Sequence, residues 1–264
     1  MKLILISIFN FFICYLLTNS FLPLFNKYLL SSPNPRSSHN KPLPSGAGII
    51  FALMSTFFSY LYGWYVPLIS LPIALVGFID DRNSISRKLR YFSQVFTGFL
   101  LLILCDSSII KLFSFNASNI FVYFFIIIFS IFLITAIINF FNFMDGIDGL
   151  VASIFIFYLF YLCLTDSTNK IFLLSSLIAF LFFNWRPARI FMGDSGSTFI
   201  GAVYVGTLLE ANDFHDLFLR IIMLTPLLGD AIITLIIRIL NRQNIFEAHK
   251  LHLYQRLNQA GGDP

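Results

Sequence analysis

The chain has 264 residues, of which 58% are hydrophobic and 11% charged, and a formal net charge of +4; its mean hydropathy is +0.83. Soluble globular domains carry about 25% charged residues, so a soluble fold is excluded and an all-α polytopic membrane protein is expected. A small positive balance in such a chain arises from topology and gives no reason to expect nucleic acid as a partner.

A hydrocarbon core of about 30 Å takes roughly 20 apolar residues per helix, which predicts about nine spans. In chain order they fall at 3–25, 46–62, 64–79, 91–105, 119–138, 150–164, 171–184, 197–210 and 217–238. The first starts apolar behind one lysine and lacks a small-residue cleavage pattern, so it reads as a retained helix rather than a signal peptide. With the N-terminus outside, 13 of the 17 Lys and Arg fall on one side and only Lys2, Lys111, Lys170 and Arg220 on the other. By the positive-inside rule the richer side is cytoplasmic. The 34 phenylalanines suit lipid-facing helices. Cys14, Cys105 and Cys163 are odd in number and stand at no metal-ligand spacing, and so read as packing residues.

The same topology sorts the acids. Asp106, Asp166, Glu210, Asp213 and Asp216 fall in outer loops, whereas Asp80, Asp81, Asp145, Asp148, Asp194, Asp230 and Glu247 fall at cytoplasmic span ends. A single Gly-flanked Asp reads as a helix-end turn. Several of them on one face of a membrane protein mark a functional site, because ionisable groups there are costly.

The acids sit in short polar segments. In "NFFNFMDGIDGL" (139–150), residues three apart share a helix face, so Asn139 and Asn142 lead toward Asp145 before Gly146 and Gly149 loosen the backbone. An EF-hand is excluded, since that loop needs oxygen ligands where Ile147 and Gly149 stand and a late Glu. The hard oxygens still favour Mg²⁺ held partly by substrate phosphates. "GFIDDR" (77–82) ends a span with adjacent carboxylates, "FMGDSGS" (191–197) opens another, and "HKLHLYQR" (249–256) supplies His249, His252 and Arg256. A helix N-terminus with small residues suits phosphate, and Arg and His suit diphosphate. No third soft ligand accompanies the histidines, which argues against zinc. A transporter with an acidic site facing the cytoplasm is the competing class. Its marks, mid-span charges and paired interrupted helices, are missing from the sequence.

In this order, "RSSHNKPLPSGAG" (36–48), "GFIDDR", "NFFNFMDGIDGL", "FMGDSGS" and "HKLHLYQRL" resemble the polyprenyl-phosphate N-acetylhexosamine-1-phosphate transferases of glycosyltransferase family 4. The last segment looks most like the branch that initiates O-antigen or related polysaccharides. The resemblance implies transfer of an aminosugar-1-phosphate from a UDP-sugar to undecaprenyl phosphate with release of UMP, at the cytoplasmic face of a bacterial inner membrane. It implies Mg²⁺, with Mn²⁺ as the alternative, held by Asp194 and Asp145. Asp80, Asp81, Asp145, Asp148 and Asp194 would be catalytic. Lys41, Asn142, Phe191, His249, His252 and Arg256 would bind substrate, Phe191 beside the uracil. Peptidoglycan or teichoic-acid linkage synthesis stays open as the pathway, and a homodimer as the assembly. Two departures weaken the carry-over: Ser84 stands where a basic residue often closes the acidic motif, and Lys250 and Leu251 stand where some branches have adjacent histidines. Relatives with ten or eleven helices continue past the last motif, so 1–264 is expected to be one integral membrane transferase domain lacking the final helices.

Overall fold

The computed structural model describes residues 1–31, 42–105, 120–166 and 168–243. Helix α1 (Lys2–Tyr28) leads into a two-residue strand β1 (Leu30–Ser31), paired antiparallel with β2 (Leu43–Pro44) in the register Leu30 to Pro44. Then follow α2 (Gly48–Leu61), α3 (Val66–Arg82), α4 (Arg87–Leu104), α5 (Ile120–Met144), α6 (Leu150–Thr165), α7 (Ile171–Asn184), α8 (Gly193–Leu209), α9 (Phe214–Met223) and α10 (Thr225–Leu240). A short 3₁₀ turn, Thr168–Lys170, precedes α7.

Seven of the first eight helices coincide with the expected spans to within four residues, and α7 matches at both ends; α5 runs six residues past its expected end at 138, taking in Asn139 and Asn142. The ninth does not. Residues 217–238 were expected to form one helix, but the chain breaks at Leu224 and α9 and α10 meet at 77°. Pro226 is the cause: it has no N–H for the Ile222 carbonyl and its ring would clash with that oxygen. The Thr225 hydroxyl takes the carbonyl instead, at 2.6 Å. The break puts Asp230 in the second turn of α10, hydrogen-bonded by Thr234 at 3.2 Å, not at a span end as expected.

Among the described residues, α1 and α5 are individually long and apolar enough to cross a membrane, and α9 with α10 passes as a bent third. Helices α2 and α7 have 14 residues each, about 21 Å at 1.5 Å per residue. Helix α8 forms the centre. Every residue from Ser195 to Thr207 is buried, against α2, α3, α4 and α5. Polar side chains buried between helices find partners across the interface, as burial in an apolar medium requires. Asn10 donates to Ser175 and Ser176 at 2.8 and 2.9 Å. Gln94 and Asn139 exchange reciprocal amide bonds of 3.1 and 2.8 Å between α4 and α5.

Candidate active site

Three of the polar segments singled out in the sequence, 77–82, 139–150 and 191–197, meet at one end of the bundle, where α3, α5 and α7 finish and α2, α4, α6 and α8 begin. Asp80 lies in the last turn of α3, its side chain 3% exposed. Ser86 caps α4 by accepting from Leu89 N–H, so that Arg90, one turn on, faces back toward α3. The guanidinium holds Asp80 by one hydrogen bond, Nη2 to Oδ1 at 2.8 Å, and by an ion pair of Nε with Oδ2 at 2.5 Å. Ile85 N–H adds a second hydrogen bond to Oδ1 at 2.9 Å. The remaining nitrogen, Nη1, stands 3.6 Å from Asp194 Oδ2. Arg90 thus joins two of the expected catalytic carboxylates.

Asp81 does something the sequence does not announce. Its Oδ1 accepts from Asp194 N–H at 2.8 Å and its Oδ2 from Ser195 N–H at 3.1 Å. The carboxylate at the end of α3 is therefore the N-terminal cap of α8, where free N–H groups and the helix dipole favour negative charge. Gly193 makes this possible: it adopts φ +71°, and a Cβ there would collide with the Asp81 carboxylate. Gly77, one turn before Asp81, lets α3 approach α8 so closely that a Cβ would lie 2.6 Å from the Asp194 carbonyl carbon. This corrects the expectation that the α8 N-terminus offers its amides to phosphate, since a protein carboxylate already occupies two of them.

Asn142, in the last turn of α5, accepts from the Ser197 hydroxyl at 2.8 Å and ties α5 to α8. Asp145 and Asp148 follow in the turn between α5 and α6. Asp148 Oδ2 accepts from Ala188 N–H at 2.9 Å. Beside it the buried Asn184 accepts from Gly149 N–H and donates to the Ile190 carbonyl, both at 3.0 Å. These bonds fasten the 145–149 turn to the loop leading into α8. Phe191 is half-buried in that loop. Its N–H donates to the Pro44 carbonyl at 2.8 Å and its carbonyl accepts from Ala47 N–H at 3.2 Å. Lys41, His249, His252 and Arg256 lie outside the described residues.

Asp145 retains some contact with solvent but is largely enclosed by protein. That desolvation, followed by the charges of Asp194, Asp81 and Asp148, pushes its carboxyl well above the usual carboxylate range. A divalent cation would relieve this repulsion, and the donors are the hard oxygens that Mg²⁺ takes. Among the described residues, no three acidic, His or Cys groups stand close enough to hold an ion by themselves. The set therefore fits a cation that completes its shell with substrate oxygens and water, the usual habit of Mg²⁺. Asp194, its side chain 28% exposed, and Asp145 keep contact with solvent, whereas Asp80 is 3% exposed in its ion pair with Arg90 and both Asp81 oxygens accept from the start of α8.

Sequence reasoning missed three participants. Arg90 belongs to the run Arg87, Lys88, Arg90 and was counted only for topology; its helical phase relative to the Ser86 cap would have singled it out. Asn184 ends an otherwise apolar span, and Ser197 lies one turn after Gly193. Both are polar residues on helices that burial makes expensive, which was the available signal.

The description "Glycosyl transferase family 4" matches residues 63–212, more than half of the chain, and the chain belongs to that family. The matched region carries Asp80, Asp81, Arg90, Asn142, Asp145, Asp148, Phe191 and Asp194. A probable undecaprenyl-phosphate N-acetylglucosaminyl 1-phosphate transferase of Bacillus subtilis is 39% identical over 93 residues, 34% of this chain and 26% of that protein. A phospho-N-acetylmuramoyl-pentapeptide-transferase of Thermotoga neapolitana is 38% identical over 92 residues, 33% of this chain and 29% of its own. One of the same name from Carboxydothermus hydrogenoformans is 32% identical over 87 residues, 33% of this chain and 26% of its own. The chain thus spans between 26% and 29% of the lengths of these curated relatives.

Proposed function

We propose that the protein transfers an N-acetylated aminosugar-1-phosphate from a UDP-sugar to undecaprenyl phosphate, releasing UMP and forming the first lipid-linked intermediate of O-antigen or another cell-surface polysaccharide. The observation that carries this reading is the arginine-bridged carboxylate pair Asp80–Arg90–Asp194 at the start of α8, with Asp145 beside it. Such a site shields charge at phosphorus. We take the motif end of the bundle as cytoplasmic in a bacterial inner membrane, with α1 to α8 and α10 crossing and residues 1–264 acting as one transferase domain. A membrane acceptor and a cytosolic donor can meet only at that boundary. The charges of the motif segments 77–82, 139–150 and 191–197 stand at helix ends rather than mid-span, which favours a transferase over a transporter.

In this reading the acceptor phosphate oxygen bonds to the sugar-bearing phosphorus as the phosphorus–UMP oxygen bond breaks. Mg²⁺, when bound, supplies positive charge at the donor diphosphate. Asp194 and Asp145 would hold it, and Arg90, fixed in direction by Asp80, would turn its remaining nitrogen to a phosphate oxygen. An acceptor monoester is largely dianionic at pH 7, its second pKa being near 6, so no strong base is needed. Asp81 keeps α8 in place. Asn142, Asp148 and Phe191 would shape the nucleotide pocket, with Lys41, His249, His252 and Arg256 as further phosphate or sugar ligands.

A second reading, with a UDP-MurNAc-pentapeptide donor, is favoured by the names of the Thermotoga and Carboxydothermus relatives. The test for both is a donor panel on purified protein with undecaprenyl phosphate and Mg²⁺. UDP-GlcNAc or a 6-deoxy relative should release UMP, and excess UMP should reverse the reaction. Release of UMP from the pentapeptide donor alone would select the second reading. Release of UDP would overturn both.

A further inference from the structure

The end of the bundle away from the acidic motifs carries a second charged cluster that the proposed reaction does not use. Arg220 of α9 is buried, its side chain 1% exposed. Nε and Nη2 hold Asp216 at 2.8 and 2.7 Å, Nη2 also stands 3.4 Å from Asp166 at the end of α6, and Nη1 donates to the Thr207 carbonyl of α8 at 2.5 Å. Tyr204 of α8 returns a bond to the Arg220 carbonyl at 3.3 Å. Lys170, equally buried, holds Asp166 at 2.6 Å and stands 3.6 Å from Glu210, which also accepts from Trp64. A surface ion pair contributes little, but breaking a pair whose cation is buried leaves a charge without a partner in a poor solvent for it.

Helix α9 depends on this cluster to an unusual degree. Of its ten residues only Arg220 is buried, while Phe214, Phe218, Ile221 and Ile222 form an exposed apolar stripe. Apolar packing holds only the end of α9, through Met223 and the buried Leu224 at the break; along the rest of the helix, Arg220 makes the tie to α6 and α8. After the 77° break, α10 packs along α5, and the far end of α5 carries Asn142, bonded to Ser197 beside Asp194. A continuous set of contacts runs from Arg220 through α10 and α5 to the candidate site.

We propose that Arg220 is a positioning residue for the candidate site, fixing where α10 begins and hence how the motif end of α5 meets α8. The inference rests on the transferase reading above. Its test uses the full chain in nanodiscs, with Arg220→Met, Arg220→Lys and the milder Asp166→Asn. Spin labels at Lys88→Cys and Ile237→Cys, with the three native cysteines replaced, report the place of α10. Arg220→Met should broaden the distance distribution. Because small misplacements of reacting groups are costly, it should also lower kcat about tenfold or more. KM for the UDP-sugar should stay within about twofold, as expected when geometry rather than donor binding is lost. Arg220→Lys should restore part of both, and Asp166→Asn should give a smaller change of the same kind. If Arg220→Met fails to insert, Asp166→Asn alone decides. An unchanged distance distribution in the variant that inserts, or a broadened one with unchanged kcat, would overturn the proposal. No turnover by the parent protein with any donor would instead refute the transferase reading, while the distance measurement still tests the clamp.

Discussion

Asp81→Asn separates two roles that one carboxylate can play. If Asp81 served only substrate or metal, the amide would abolish turnover and leave the fold untouched. The structure assigns both its oxygens to the N–H groups of Asp194 and Ser195. An Asn can face only one of them with an acceptor and turns its NH₂ toward the other, so one buried N–H is orphaned at a cost of about 1–3 kcal/mol. The helix end also loses a compensating negative charge, worth about 0.3–1 kcal/mol. Asp81→Asn should therefore destabilise by about 1–4 kcal/mol. At about 2–4 °C per kcal/mol for a chain of this size, the melting temperature should fall by roughly 3–16 °C. Asp81→Ala, which orphans both N–H groups, should fall further. The assay is thermal unfolding in detergent at one heating rate, followed by size exclusion, without substrate or metal, so that catalysis does not enter. A variant that melts with the parent protein would show that Asp81 does not cap α8.

Further outcomes follow from the same geometry. Asp194→Asn should lower turnover by orders of magnitude while the protein remains inserted, and should abolish any rise in melting temperature that Mg²⁺ gives the parent; activity near the parent level at saturating Mg²⁺ would remove Asp194 from the mechanism. Arg90→Met should cost about 10²-fold in kcat, and Arg90→Lys should recover little of it, because a point charge cannot hold both Asp80 oxygens from one fixed plane. Gln94→Leu or Asn139→Leu alone should destabilise by about 1–3 kcal/mol by orphaning the partner amide, whereas the double variant should be closer to the parent; additivity in a double-mutant cycle would refute the pairing. Reporters fused after Arg82 or Asp148 should read cytoplasmic and one after Asp213 external, and opposite sides for the first two would end the single-site reading.

The helices were legible because their apolar runs are long and their interruptions polar, so 171–184 could be located to the residue. The break in the ninth span escapes hydropathy, which does not register that Pro226 lacks an N–H, and the Thr225 hydroxyl that takes the freed carbonyl is visible only in the fold. Within the site, aspartates on different span ends could be expected to converge. What could not be read was the division of labour between neighbours. Asp80 and Asp81 are chemically the same residue in consecutive positions, yet successive helical residues point about 100° apart, so one meets Arg90 and the other the start of α8. Sequence spacing gives that divergence but not its targets. Arg90 was hidden for a related reason, since every basic residue near a cytoplasmic span end satisfies the positive-inside rule, whatever else it does.

Helix α5 has 25 residues and α2 and α7 have 14 each, lengths of about 37 Å and 21 Å. A single bilayer crossed by all three, as proposed above, cannot match both lengths. Hydrophobic mismatch is taken up by tilt of the long helix, by thinning of the lipid around the short ones, or by both. In the membrane arrangement proposed above, the loops that flank the short helices lie deeper than the ends of the long one, which would set the 185–192 loop and Asp194 at the start of α8 in a recess of the membrane surface. In the transferase reading proposed above, a lipid phosphate at headgroup level would meet that recess from the side, by lateral diffusion within its own leaflet. Bilayer thickness would then be a variable of the proposed reaction: lipids with longer acyl chains would raise the headgroup plane away from the recessed Asp194, while shorter ones would lower it toward that carboxylate.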